Sequence, residues 1–291
     1  MRFDVLTPGS WEEAIGLLAG FGEGAKILAG GTDLLVRIKQ GMIKPAKVIT
    51  LQRIASLDQI RYEAGQGLYL GPMVTHAEVA RHPVVKARFT ALAEASAVVG
   101  SPQVRNLGTV IGNIMNASPA ADTAPALLAL QADLIVRDAA GSRSVPLSKF
   151  YRGPGRTVLR DGEIVEAVFI PEAAPGTVST YLKLGRRQAL EIAICGVAMK
   201  ARPAGEVWED VQIALGAVGP TPLQAVTAAK ALLGGRWSKE VLAEAGRLAA
   251  AGCAPIDDQR ASAAYRRDMI DVLVQRSGRL LAAQVGSGFN D

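Results

Sequence analysis

Asn106-Leu107-Gly108-Thr109-Val110-Ile111-Gly112-Asn113-Ile114-Met115-Asn116-Ala117-Ser118-Pro119-Ala120-Ala121-Asp122-Thr123 decides how this chain is read. Its glycines, hydroxyls and amides follow neither the period of a half-buried strand nor that of a helix, so the stretch reads as a long loop between two apolar helices. Such a loop suits a ligand rich in hydroxyls and phosphate. Backbone N–H groups beside glycine can meet phosphate oxygens, Asn and Thr side chains can meet hydroxyls, and Asp122 can accept from a sugar. The competing reading is a surface loop in which Ser118 caps the following helix.

Leu28-Ala29-Gly30-Gly31-Thr32-Asp33 places two glycines between a strand over 26–29 and a helix over 32–40, with Thr32 as the expected N-cap and Gly41 as the stop. Glycines there let an anion approach the backbone, and the unpaired N–H groups of a helix start supply donors. A strand-to-helix turn also needs glycine for its geometry alone. Gly20-Phe21-Gly22-Glu23-Gly24-Ala25 fits G-x-G-x-x-A formally, but a helix precedes it and a strand follows. That order is the reverse of what a dinucleotide fingerprint requires, so the segment reads as a plain turn.

The 291 residues, 49% hydrophobic and 20% charged, are enough for cores in two domains and argue against long disordered tails. Asp122 interrupts the most apolar region, so no membrane span is expected. The start Met1-Arg2-Phe3-Asp4 lacks a signal-peptide pattern, which makes the cytoplasm the expected location. Two cysteines, Cys195 and Cys253, and two histidines, His76 and His82, are too few for a metal site, an iron–sulfur cluster or a favoured nucleophile–base pair. Cys195 reads as apolar packing and His76 as a solvated helix residue. Any chemistry must then come from a bound cofactor. The net charge of +5 is mild and its basic residues are scattered, which argues against nucleic acid and suits a phosphate-bearing cofactor or an acidic partner surface.

Ser10 with Glu13 forms a capping box for a helix over 10–20, and Thr75 with Glu78 forms a second. Strands are expected at 48–51, 60–63, 68–71, 134–137, 145–147 and 164–170, and helices at 83–99 and 122–132. Pro171-Glu172-Ala173-Ala174-Pro175-Gly176 has linker composition and marks a domain boundary. Beyond it, runs at 177–184, 192–201 and 211–218 suit an antiparallel meander, and helices follow at 222–233, 238–251 and 262–285. Strands followed by helices without strict alternation make the chain α+β.

Three motifs carry a resemblance. They are Ala29-Gly30-Gly31-Thr32-Asp33-Leu34, then Gly108-Thr109-Val110-Ile111-Gly112-Asn113-Ile114 continuing through Ala117-Ser118-Pro119-Ala120-Ala121-Asp122, and Tyr265-Arg266-Arg267-Asp268-Met269. Together they resemble the medium, flavin-binding subunit of the molybdenum hydroxylases, the xanthine dehydrogenase and carbon monoxide dehydrogenase family. The resemblance covers nearly the whole chain. It implies an α+β FAD-binding domain of the p-cresol methylhydroxylase (PCMH) type over 1–175, in subdomains of about 1–57 and 58–175. A C-terminal domain over 176–291, with a three-stranded antiparallel sheet and a helical bundle, would follow.

Carried over residue by residue, the resemblance implies that Ala29, Gly30, Gly31 and Thr32 wrap the FAD pyrophosphate, with Lys26, Leu28, Asp33 and Leu34 beside them. Thr109, Gly112 and Asn113 would touch pyrophosphate and ribityl groups, with Ile111 and Ser118 in the same cofactor-binding set, and Asp122 the adenosine or ribityl side. Ile111 stands where the family usually carries a second glycine. Val165 and Lys183 would lie near the isoalloxazine ring, where Lys183 or Arg186 could stabilise the anionic reduced flavin. Tyr265-Arg266 is expected to serve packing. The resemblance also implies partners: a large subunit with molybdopterin and a small subunit with iron–sulfur clusters, assembled as a dimer of heterotrimers. Electrons would pass from the clusters to FAD here and on to NAD or another acceptor, with no catalytic residue supplied by this chain. The alternative is a stand-alone PCMH-type flavoprotein oxidase or reductase, which would need its own substrate pocket and acid or base.

Overall fold

A strand covered on both faces needs consecutive apolar residues at its centre, and Lys47–Thr50, with Val48 and Ile49 fully buried between a part-exposed Lys47 and a buried Thr50, is such a strand. In the computed structural model, which describes residues 3–187, 189–205 and 207–286, it is the centre of a three-stranded parallel sheet between Asp4–Leu6 and Ala25–Leu28. The helix Trp11–Phe21 packs on this sheet through Ala14 and Ile15, and the Glu13 N–H donates to the Ser10 hydroxyl at 3.2 Å.

The second sheet has five strands, in the order Ile60–Glu63, Gly67–Leu70, Ile164–Pro171, Asp133–Asp138 and Gly141–Pro146, with every neighbouring pair antiparallel. Its central strand slips register between Val165 and Ala167, a bulge of the kind that re-aims side chains. The expected helix at 83–99 is two helices, Pro83–Arg88 and Thr90–Ala97. Phe89 leaves helical geometry between them and buries its ring in the core.

The glycine-rich stretch at 106–123 is not one loop. The helix Pro102–Arg105 leads into it and the helix Val110–Met115 lies within it, burying Val110, Ile111 and Ile114 on one face. Thr32 is also not an N-cap. Asp33 holds that position without a side-chain bond, and the helix runs Leu34–Lys39. His76 is corrected as well, being buried rather than solvated.

The chain crosses to its second body between Pro171 and Val178. There Val178–Leu184, Cys195–Ala204 and Val207–Gly216 form the meander, and a two-residue strand, Leu223–Gln224, adds a fourth member. Helices Val226–Ala231, Lys239–Ala251 and Ala263–Gln284 cover it. Trp208 and Trp237 stack at 3.7 Å between centroids. Arg266 is buried and donates to the carbonyls of Ile194 and Ala217 and to Asp258. Cys195 and Cys253 are buried free thiols, which burial pushes up to about 12 and about 11.

The two bodies share a core, for Tyr181, Ala198 and Ala214 pack in the same cluster as Leu127 and Leu134. Glu94 accepts from the Thr180 hydroxyl and the Tyr181 N–H, and the Ala91 N–H donates to Ser179. Among the described residues no helix is long and apolar enough to cross a membrane, and no cluster of His, Cys, Asp and Glu could hold a metal.

Candidate cofactor-binding cleft

A cleft of about 700 Å³ lies between the parallel sheet and the five-stranded sheet, within the range of about 300–1,000 Å³ common for small-molecule sites. One wall is the turn after Ala25–Leu28. Gly31 has φ +74°, a conformation that favours glycine, and a Cβ on Gly30 would stand 1.9 Å from the Leu107 carbonyl oxygen. The two glycine segments, separated by some 75 residues of chain, therefore touch backbone to backbone. The N–H groups of Gly30, Gly31 and Thr32 have no acceptor among the described residues.

The opposing wall is tied down by backbone bonds. The Val110 N–H donates to the Val74 carbonyl at 3.1 Å, and the His76 N–H to the Gly108 carbonyl at 3.0 Å. Thr109 caps Val110–Met115 by accepting the Gly112 N–H at 3.0 Å. Thr123 donates to Asn113 Oδ1 at 2.7 Å, which leaves the amide N–H groups of Asn113 as its free polar end in the cleft. Ile111 both lines the cleft and packs in the core.

Of a third wall the sequence pointed only to Val165. Residues 155–157 and 159–165 line the cleft, with Arg156 and Arg160 among them, and Arg37 joins them from Leu34–Lys39. The signal available was Gly153, Gly155 and Gly162, all at positive φ around a two-stranded ribbon. Glu163 is anchored: burial opposes its ionisation, but Arg143 and the Arg160 N–H hold its carboxyl below the usual range. Burial raises Asp33, against the pull of Arg37.

Of the expected site residues, Lys26, Ala29, Gly30, Gly31, Thr32, Asp33, Leu34, Thr109, Ile111, Gly112, Asn113 and Val165 line this cleft. Leu28, Ser118, Asp122 and Lys183 stand outside its lining. Leu28 supports the turn from below, its Cδ1 being 3.0 Å from where a Gly31 Cβ would be. The Ser118 hydroxyl closes a local turn by accepting the Ala120 N–H.

Asp122 and Lys183 pair with each other at 2.8 Å, with side chains 8% and 9% exposed. All three Lys183 ammonium protons have acceptors: Asp122, the Val98 carbonyl and the Glu191 carbonyl. Tyr181 donates its hydroxyl to the other Asp122 oxygen at 2.9 Å, and a Cβ on the neighbouring-strand Gly196 would stand only 2.6 Å from that hydroxyl. Burial holds the Asp122 carboxyl above its usual range against both partners, and raises Tyr181 far above its own. These charges lock the two bodies together behind the cleft. Arg186 is exposed and reaches toward the Gln259 carbonyl.

Residues 1–173 match the model of the FAD binding domain in molybdopterin dehydrogenase, and 180–279 that of the CO dehydrogenase flavoprotein C-terminal domain. The chain belongs to this FAD-binding family of molybdopterin dehydrogenases. Among relatives of this flavoprotein family, it is 35% identical to the carbon monoxide dehydrogenase medium chain of Hydrogenophaga pseudoflava, over 95% of this chain and 96% of that one. It is 33% identical to the nicotinate dehydrogenase FAD-subunit of Eubacterium barkeri, over 82% of each. In structure it resembles the Hydrogenophaga pseudoflava carbon monoxide dehydrogenase that lacks the Mo-pyranopterin moiety, with TM-score 0.93, covering 97% of this chain and 98% of that one. Quinoline 2-oxidoreductase from Pseudomonas putida 86 superposes with TM-score 0.91 at 29% identity, covering 98% of both chains. The cleft of this FAD-binding subunit fits its cofactor: free backbone donors meet cations on one side, and an unpaired amide faces them from the other.

Proposed function

We propose that this chain is the electron-transferring FAD subunit of a heterotrimeric molybdenum hydroxylase. It takes electrons from iron–sulfur centres on a small subunit and delivers them to NAD or another acceptor, while a large subunit carries molybdopterin and the substrate pocket. The observation that carries this reading is the cleft in which two glycine segments meet and leave the N–H groups of Gly30, Gly31 and Thr32 free. Bound FAD supplies the exchange between one-electron and two-electron transfer.

The chain's own residues bind, orient and shield. The free N–H groups take the pyrophosphate, and Lys26, Arg37, Arg156 and Arg160 offset its charge. The Asn113 amide donates to ribityl or phosphate oxygens, while Ile111, Leu159 and Val165 keep water from the ring. Lys183 and Asp122 act indirectly, by fixing the C-terminal domain of 176–291 against the FAD domain of 1–175. Assembly as a dimer of heterotrimers in the cytoplasm completes the proposal.

The test is purification of the chain, addition of FAD and desalting. Retained flavin absorbance near one FAD per chain is expected, and its complete loss overturns the reading. In the purified complex, NADH formation on substrate addition supports NAD, and turnover with artificial acceptors alone excludes it. Substrate turnover by the isolated chain at the rate of the complex would instead support a stand-alone flavoprotein.

A further inference from the structure

His76 opens the helix His76–Arg81 inside the Thr75–Glu78 capping box, so its backbone is held at both ends. The residue is 2% exposed and lines the cleft. Nδ1 is sealed from solvent without a partner, whereas Nε2 is not among the sealed atoms and has no partner among the described residues. A buried polar ring left unpaired costs free energy comparable to a lost hydrogen bond, unless a ligand supplies the partner.

Burial, assisted by the Arg105 charge, pushes this imidazole down to about 4, so near neutrality it carries a single proton. A sealed N–H with no acceptor costs more than a sealed lone pair, which places that proton on Nε2. The ring carbon bonded to Nε2, Cδ2, lies 3.5 Å from the point where a Gly108 Cβ would stand, and the Thr32 hydroxyl lies 3.2 Å from the same point. The edge of the ring that carries Cδ2 thus sits where the two glycine walls meet, near Gly108 and the Thr32 hydroxyl, and Gly30 packs on the same Gly108 backbone.

We propose that His76 is a pyrophosphate-binding residue of the cleft, its Nε2–H donating to a phosphate oxygen of the bound dinucleotide. The assignment rests on the reading of the cleft as the FAD site. A neutral donor adds direction without charge, which the four cations around it already provide.

The experiment measures FAD dissociation constants for the wild type, His76→Leu and His76→Gln by flavin fluorescence, together with ³¹P spectra of the bound FAD. Gln carries its amide N–H where Nε2–H stood, so it should bind within about threefold of the wild type, while Leu should weaken binding about tenfold to a hundredfold. The pyrophosphate resonances should differ between the wild type and the Leu variant. Independently of any variant, ¹⁵N imidazole signals of the wild type should show the Nε2–H tautomer and shift on FAD saturation. Wild-type protein that binds no FAD overturns the reading of the cleft and this assignment with it. Wild-type binding with an unchanged Leu variant, or with imidazole signals that FAD leaves unmoved, overturns the His76 assignment alone. Identical ³¹P spectra place any lost contact away from the pyrophosphate and also overturn it.

Discussion

A methyl group on Gly30 would place its carbon 1.9 Å from the Leu107 carbonyl oxygen and 2.7 Å from the carbonyl carbon. Both neighbours are backbone, so no side-chain rotation relieves the clash. Reaching 3.0 Å, below which real Cβ contacts essentially never occur, requires the glycine turn and the Leu107–Gly108 segment to part by about 1.1 Å. Overpacking of this kind costs about 1–3 kcal/mol, and about 1.4 kcal/mol is tenfold in affinity. Because the strained backbones are the two walls of the cleft, Gly30→Ala should weaken FAD binding by roughly tenfold to a hundredfold while lowering the unfolding midpoint modestly. The assay is a fluorescence-quenching titration beside a Gly20→Ala control. That methyl would meet nothing within 4 Å, in a helix where Ala is favoured over Gly. Wild-type FAD affinity in a folded Gly30→Ala protein would refute the contact between the walls.

Lys183→Met leaves a buried carboxylate without its cation and should cost about 3–5 kcal/mol in urea unfolding, with part of the loss recovered in Lys183→Met/Asp122→Asn. An unchanged midpoint in the single variant would remove the pair from the domain lock. His76 titrates near 6.5 when unfolded and about 4 when folded, so the unfolded state binds the extra proton between those values. Stability of the FAD-free chain should therefore fall as pH drops from about 6.5 to about 4, by about 3 kcal/mol from this residue, and His76→Gln should flatten that part of the curve. Thr109→Ala removes the acceptor of the Gly112 N–H and should cost about 1 kcal/mol by thermal unfolding. A loss below the error of the measurement would show that the cap contributes nothing.

Much of the architecture was legible because it rests on local rules. The Ser10 and Thr75 caps, the strands at 60–63 and 164–170 and the linker near Pro171 follow from hydroxyl–carboxylate spacing, period-two apolar runs and proline. The misread parts obey longer-range forces. Phe89 breaks a helix because its ring has a place in the core, and Val110–Met115 is helical because the Val74 carbonyl and the Thr109 hydroxyl nucleate six residues too few to show a period.

In the site the division is similar. Glycine at 30 and 31 was readable as a demand for close approach, since only the absence of Cβ permits it. What that glycine approaches, Leu107 rather than its own neighbours, depends on how two sheets meet. Lys183 and Asp122 were each readable as functional charges, but a buried charge is satisfied by whatever partner the fold brings within reach, and the fold brought them to each other. Sequence alone thus determined the family, the cofactor class and the two glycine walls. Tertiary structure decided which charges face the cleft, which hold the domains together, and that His76, with nothing unusual around it in sequence, is buried at the junction of the walls. Local chemistry is encoded by neighbours in the chain, whereas burial and pairing are set by residues far away in it.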